Sequence, residues 1–126
     1  MLYAYLAFGG VLGTLARFSI GGWVDAWAGA DFPWGTLVIN LLGSFLLGLA
    51  VRGAEPAALS SEMRGMITVG FCGAFTTFST FTFETMSLMQ GGAWARASIY
   101  AFGSLGMGLI AMALGLSAAT LLRPGG

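Results

Sequence analysis

Hydrophobic residues along this chain come in four long runs, not at alternating positions. The runs cover 3–24, 34–51, 66–89 and 95–122. Each is close to the ~20 residues that an α-helix needs to cross about 30 Å of hydrocarbon. Membrane β-strands would alternate apolar and polar residues over about ten positions, and none of the four runs does so. The pattern predicts an all-α integral membrane protein, four transmembrane helices in a single domain over 1–126. Charged residues collect in the connections. Asp25 and Asp31 fall between the first two runs, and Pro33 is placed to start the second. Arg52, Glu55, Glu62 and Arg64 fall between the second and third, where Ser60 or Ser61 is placed to cap a short lead-in helix. Arg96 follows Gly91-Gly92, and Arg123 ends the fourth run just before Pro124. Trp23, Trp27, Trp34 and Trp94 all fall at run ends, as an interfacial aromatic belt requires.

Composition agrees. The 126 residues are 57% hydrophobic and 8% charged, against about 25% charged in a soluble domain, so lipid is the solvent for most of the surface. The net charge is zero, with no lysine and no histidine. That excludes a basic nucleic-acid surface and histidine acid–base or metal chemistry. The single Cys72 cannot form an intrachain disulfide. The N-terminus lacks a charged n-region and a cleavage site, and reads as the first span instead of a removed signal peptide. With four spans, Arg52, Arg64 and Arg123 share the side of the termini and only Arg96 lies opposite. This thin bias puts the termini in the cytoplasm, and a chain so nearly balanced can also insert both ways.

Three helix faces carry polar or small residues: Gly9, Gly13, Arg17 and Gly21 and then Thr36, Asn40, Ser44 and Gly48 at four-residue spacing, and Ser104, Gly108 and Gly115 on one stripe. The glycines read as packing positions where backbones approach closely in lipid. Asn40 is different, because an amide in mid-span needs partners or water. It is either an interhelical hydrogen bond or a pore-lining donor, and the residue alone does not choose. Arg17, near a span end, reads as a structural or vestibule residue able to snorkel.

The third span is chemically odd. Residues 70–85 read Gly-Phe-Cys-Gly-Ala-Phe-Thr-Thr-Phe-Ser-Thr-Phe-Thr-Phe-Glu-Thr. Gly70 and Gly73 weaken a helix, and β-branched Thr76 and Thr77 follow. A mid-membrane break is expected, with Gly73 and Thr76 where the span unwinds and with glycine needed at 73 for its backbone freedom. Freed carbonyls at that depth need protein, ion or water, and such carbonyls commonly coordinate a cation. Phe75, Phe78 and Phe81 recur every three residues, with Phe78 and Phe81 on one face. They are either core or lipid-facing rings, or ring edges that solvate a small anion without a fixed charge. Ser79, Thr80 and Thr82 offer hydroxyl donors, or bond back to their own helix. Glu84, a carboxylate in a span, is a functional candidate by default.

On these residues the chain resembles the Fluc (CrcB) fluoride channels. The most specific match is Gly-Phe-Cys-Gly-Ala-Phe-Thr-Thr-Phe-Ser-Thr-Phe at 70–81 followed by Glu84. Span two matches as Gly-Thr-Leu-Val-Ile-Asn-Leu-Leu-Gly at 35–43, and span one through its glycines and Arg17. The resemblance implies an antiparallel, dual-topology homodimer with two pores. It implies a structural, non-transported Na+ on the dimer axis, held by the backbone carbonyls of Gly73 and Thr76. It further implies that Phe78 and Phe81 form an aromatic box, that Asn40 donates to the pore, and that hydroxyls near Ser79, Thr80 and Glu84 form a polar track. Tyr100 and Ser104 match pore-side positions. Gly108 departs from relatives that carry serine there.

The implied function is passive, fluoride-selective conduction across the bacterial inner membrane, relieving fluoride toxicity. It needs no ATP site, and the chain has no P-loop. No nucleophile–base pair suggests an enzyme. A small proton-coupled multidrug transporter is the main rival. Its mechanism is built on a glutamate in span one, whereas the acidic residue read within a span here is Glu84. A non-transporting membrane subunit would leave Asn40 and the hydroxylated third span without a use.

Overall fold

The computed structural model describes residues 1–53, 58–123 and 125. Glu55, assigned above to a connection, and Pro124, placed above just after the fourth run, lie outside the described residues. The elements are α1 (Leu2–Ala28), α2 (Trp34–Gly53), α3 (Ser61–Gly65), a π-helical run (Met66–Cys72), α4 (Gly73–Phe75), α5 (Phe78–Gln90) and α6 (Trp94–Leu122). Four helical spans are long and apolar enough to cross a membrane: Leu2–Ala28, Trp34–Gly53, Ser61–Gln90 and Trp94–Leu122. The described residues contain no strand. The four-helix, multi-pass membrane architecture expected from the hydrophobic pattern is therefore the one observed.

Boundaries differ from the expectation in an instructive way. The first helix continues to Ala28, so Asp25 belongs to its last turn and not to a connection. Its carboxylate accepts a hydrogen bond from Gly35 N at 2.8 Å, where the first turn of α2 leaves backbone donors unpaired. A side chain at Gly35 would collide with that carboxylate. Glu84 is therefore not the one acidic residue within a spanning helix, although Asp25 is occupied as a cap at the helix end. Ser60 caps α3 by accepting from Met63 N at 3.2 Å, and α3 runs on without interruption through the π-helical run into α4.

Backbone contact through glycine sets the bundle. At Gly9 and Gly13 of α1, an added Cβ would overlap the main chain of the π-helical run at Met66 and Phe71. At Gly48 and Gly115, the backbones of α2 and α6 meet in the same way. Such close approach gains van der Waals contact where lipid leaves little hydrophobic driving force between helices. The small core formed in this way holds Phe75 and Tyr100, each 1% exposed, together with Ile39 and Cys72. Many large apolar side chains face outward, including Phe18, Phe83 and Phe102, as a lipid-solvated surface requires.

All four tryptophans lie at one end of the bundle. Trp23 and Trp27 are in the last turns of α1, Trp34 starts α2, and Trp94 starts α6. Arg52, Arg64 and Arg123 lie at the other end, at or beside the termini of α2, α3 and α6. A single chain is therefore strongly asymmetric across the membrane.

Candidate functional site

The third span is broken, at Thr76 as expected, but with Thr77 and not Gly73 as the second extended residue. Thr76 (φ −83°, ψ 157°) and Thr77 (φ −145°, ψ 123°) are extended. Gly73 is helical, with φ −63° and ψ −38°. A side chain at Gly73 would meet nothing of this chain within 4 Å. The expected backbone need for glycine at 73 is therefore absent. Gly70, read as a helix weakener, instead packs against Leu6 and Gly9 of α1. The physical reason lies in the side chains. β-Branched residues fit extended backbone, and Thr77 gains a helix cap there, its hydroxyl accepting from Thr80 N at 3.2 Å.

Two side chains from other helices satisfy backbone groups freed by the break. Asn40 of α2 does so reciprocally: its Oδ1 accepts from Thr77 N at 2.8 Å, and its Nδ2 donates to Thr77 O at 3.1 Å. Arg17 of α1 donates from Nε to Ala74 O at 3.1 Å. Of the two uses open to Asn40, the interhelical hydrogen bond is realised, and one Nδ2 hydrogen remains. No hydrogen bond reaches the carbonyls of Gly73 or Thr76 among the described residues. Thr76 turns its own hydroxyl back to Cys72 O at 3.0 Å.

The break faces a groove of about 560 Å³ between α2, the third span and α6. Asn40, Gly73, Thr76, Phe78, Phe81 and Ser104 all line it, with Gly43, Thr77 and Gly108 among their neighbours. The Ser104 hydroxyl is buried and has no hydrogen-bond partner among the described residues. Phe78 is 76% exposed. A row of aromatic rings leads away from the groove: Phe78 to Phe81 at 6.0 Å, Phe81 to Tyr100 at 5.1 Å, and Tyr100 to Phe32 at 5.4 Å between centroids.

Polar groups run beside that row. Thr77 and Thr80 share a hydroxyl hydrogen bond at 3.1 Å, and Ser79 Oγ is 3.4 Å from Thr77 Oγ1. One helical turn beyond Thr80, the Glu84 carboxylate accepts from Thr36 Oγ1 at 2.6 Å and from Tyr100 OH at 2.9 Å. Glu84 also lines a second cavity of about 410 Å³, with Asp25, Asp31 and Phe83, at the tryptophan end.

The sequence-selected residues therefore fall into three groups. Asn40, Phe78, Phe81, Ser104, Gly73 and Thr76 meet at the groove. Ser79, Thr80, Glu84 and Tyr100 follow along α5 and α6 outside the groove's lining. Arg17 lies on the α1 side of the break, bonded to Ala74, and is not part of the groove lining. Thr36 and Thr77 belong to the sequence patterns described above but were given no role at the site. Thr36 shares the Asn40 face at four-residue spacing, which was a usable signal; the capping role of Thr77 becomes visible only once the break is located. Thr82 and Thr85 bond back to Ser79 O and Phe81 O at 3.0 and 2.7 Å, as hydroxyls inside helices often do.

Comparison with known proteins gives a concordant result. The family described as CrcB-like protein, Camphor Resistance (CrcB), matches residues 4–116. A protein of Thermus thermophilus named fluoride-specific ion channel FluC is 50% identical over 113 residues, covering 90% of this chain and 89% of that protein. Proteins of the same name from Hydrogenovibrio crunogenus and Hahella chejuensis are 49% and 47% identical. Those matches cover 88% and 94% of this chain, and 85% and 94% of the relatives.

Removing the Asn40 amide strands two backbone groups at the break, at roughly 1–3 kcal/mol for each that stays buried and unpaired. Asn40→Ala is expected to speed amide exchange at Thr77 and its neighbours by about tenfold or more. Thr36→Ala, one turn away, should leave exchange there unchanged. Unaltered exchange at Thr77 in Asn40→Ala would show that the amide does not hold the break.

Proposed function

Because this chain belongs to the CrcB family, we propose that it is a passive fluoride-selective channel of the bacterial inner membrane. The observation that carries this reading is the meeting of the Asn40-clamped break with Phe78, Phe81 and Ser104 on one groove. Fluoride is small and strongly hydrated, so a path that strips its water must replace it with many weak donors. Ring edges carry partial positive charge. The Ser104 hydroxyl and the second Asn40 Nδ2 hydrogen are uncommitted donors beside them. None of these groups is a full cation, so release is not blocked by binding that is too tight.

Ser79, Thr80, Thr36, Glu84 and Tyr100 continue the route toward the tryptophan end. A carboxylate on an anion's path would repel it, but Glu84 is held by two hydroxyl donors, Thr36 and Tyr100, which share part of its charge. Fluoride enters cells as uncharged HF under acid conditions and ionises inside. The inside-negative potential then drives the anion out through an open path, at about 2.3 kcal/mol per charge per 100 mV. Conduction alone therefore relieves toxicity, and the reading calls for no catalytic chemistry.

The working unit in this reading is an antiparallel homodimer. Two features support it. The tryptophans occupy one end only, while the other end carries Tyr3 and Tyr5; an inverted second copy places tryptophans at both faces. The open side of Gly73 also lets a second backbone approach at mid-membrane. The carbonyls of Gly73 and Thr76, lacking donors of their own, fit a hard cation such as Na+, which these oxygens would hold between the two chains. Bound there, the ion would supply fixed positive charge near an anion path.

Reconstituted in liposomes, the protein should dissipate a fluoride gradient electrically while passing chloride barely at all. Phe78→Ile and Phe81→Ile should each lower fluoride flux strongly. Equal chloride flux, or efflux dependent on a proton gradient, would sink the channel reading; full flux in both variants would return the rings to packing.

Adding two or three lysines to the 52–64 segment should force every copy into one orientation. Antiparallel pairing then predicts lost flux, regained on co-expression with an oppositely biased chain. Full activity from the single-orientation protein alone would refute it.

The central ion predicts a lower melting temperature for purified protein when sodium is replaced by N-methylglucamine. Thr76→Ser, which keeps the carbonyl, should behave as wild type. Gly73→Val fits its own chain and should instead weaken pairing. Melting and flux indifferent to sodium would rule the ion out.

A further inference from the structure

A cavity at the arginine end of the bundle shares Thr68 with the groove but holds none of the side chains assigned to the permeation route. It measures about 370 Å³ and opens between the end of α2, the start of the third span and the end of α6. Arg64 and Arg123 line it, and the wall is otherwise largely apolar, with Leu49, Ile67, Ala119 and Leu122. The Nε of each arginine is buried, and neither has a hydrogen-bond partner among the described residues. Arg123 is anchored from elsewhere, its Nη2 donating to the main-chain carbonyl of Arg52. The described lining of the cavity contains no carboxylate.

Two buried N–H donors without acceptors are unfavourable by themselves. Here both belong to fixed cations on one cavity. An anion with several oxygen acceptors would satisfy them together, and phosphate matches the planar guanidinium well. The depth of the site selects the source of that phosphate. Arg64 and Arg123 stand at span ends, where lipid headgroups lie. Leu49, Ile67 and Ala119 sit about one helical turn further into their spans. Free phosphate gains nothing from that apolar wall, whereas a phospholipid places acyl methylenes against it.

We propose that this cavity binds an anionic phospholipid, its phosphate held by Arg64 and Arg123 and its upper acyl chain packed on the apolar wall. A zwitterionic headgroup fits less well, since its own cation would face two arginines.

Native mass spectrometry of the purified protein with added phosphatidylglycerol tests this directly. One phosphatidylglycerol retained per chain is expected, with phosphatidylcholine retained at least about tenfold more weakly. Inorganic phosphate at millimolar concentration should not displace the lipid. In an R64Q/R123Q double variant of unchanged helix content, retention should fall about tenfold or more. Arg96→Gln, at the other end, should retain lipid as wild type does. Equal retention of the two lipids by the wild-type protein, displacement by inorganic phosphate, or undiminished retention in the double variant would each overturn the assignment. The wild-type comparisons need no variant to fold.

Discussion

A helix interrupted inside a bilayer leaves backbone N–H and C=O groups that water cannot reach, and the structure of this protein depends on how those groups are satisfied. The interruption is short, Thr76 and Thr77 only. Asn40 pairs with both backbone groups of Thr77, Arg17 takes the carbonyl of Ala74, and the Thr77 hydroxyl caps the helix that follows. Each of these contacts comes from a different element, so the break ties α1, α2 and both halves of the third span together. A polar amide and a guanidinium within apolar spans are explained by this duty before any role with an ion is considered.

Those contacts require the helices to be close, and glycine makes them so. The α1 glycines bring that helix onto the π-helical run, which aligns Arg17 with Ala74. Gly48 and Gly115 clamp α2 to α6 toward the arginine end. Along the same two helices, Asn40 and Ser104 instead face an open groove. One pair of helices therefore supplies both a rigid joint and a polar-lined recess. Gly108 lies on the recess side with open space around it, while Gly115, two turns on, is buried against the Phe45 backbone.

Charge is arranged with similar economy. Glu84 sits between two hydroxyl donors, Asp25 caps α2, and three of the five arginines, Arg52, Arg64 and Arg123, gather at the far end. A chain with ten formal charges and a net charge of zero is thereby polarised along the membrane normal. Proposed pairing with an inverted copy would cancel that polarity, and the exposed faces of Phe78 and Gly73 would then be interior to the assembly.

The sequence by itself determined the architecture and the family. Four apolar runs near the length of a bilayer crossing admit few folds, because lipid forces every backbone group into a helix or a closed barrel. The 70–85 motif and Asn40 marked the region that matters, since polar groups are rare in spans unless they have work there. Local pattern could not decide which residue breaks the helix. Helix propensity marked Gly70, Gly73, Thr76 and Thr77 together, yet both glycines are helical, Gly70 packed on α1 and Gly73 open, and the break fell at the two threonines, where Asn40 and a threonine cap satisfy extended backbone. Nor could it assign Asp25 to α1, reveal Thr36 and Tyr100 as the donors to Glu84, or bring Arg64 and Arg123 to one cavity. These pairs lie 16 to 59 positions apart in the chain, and only the crossing of helices in three dimensions brings them together.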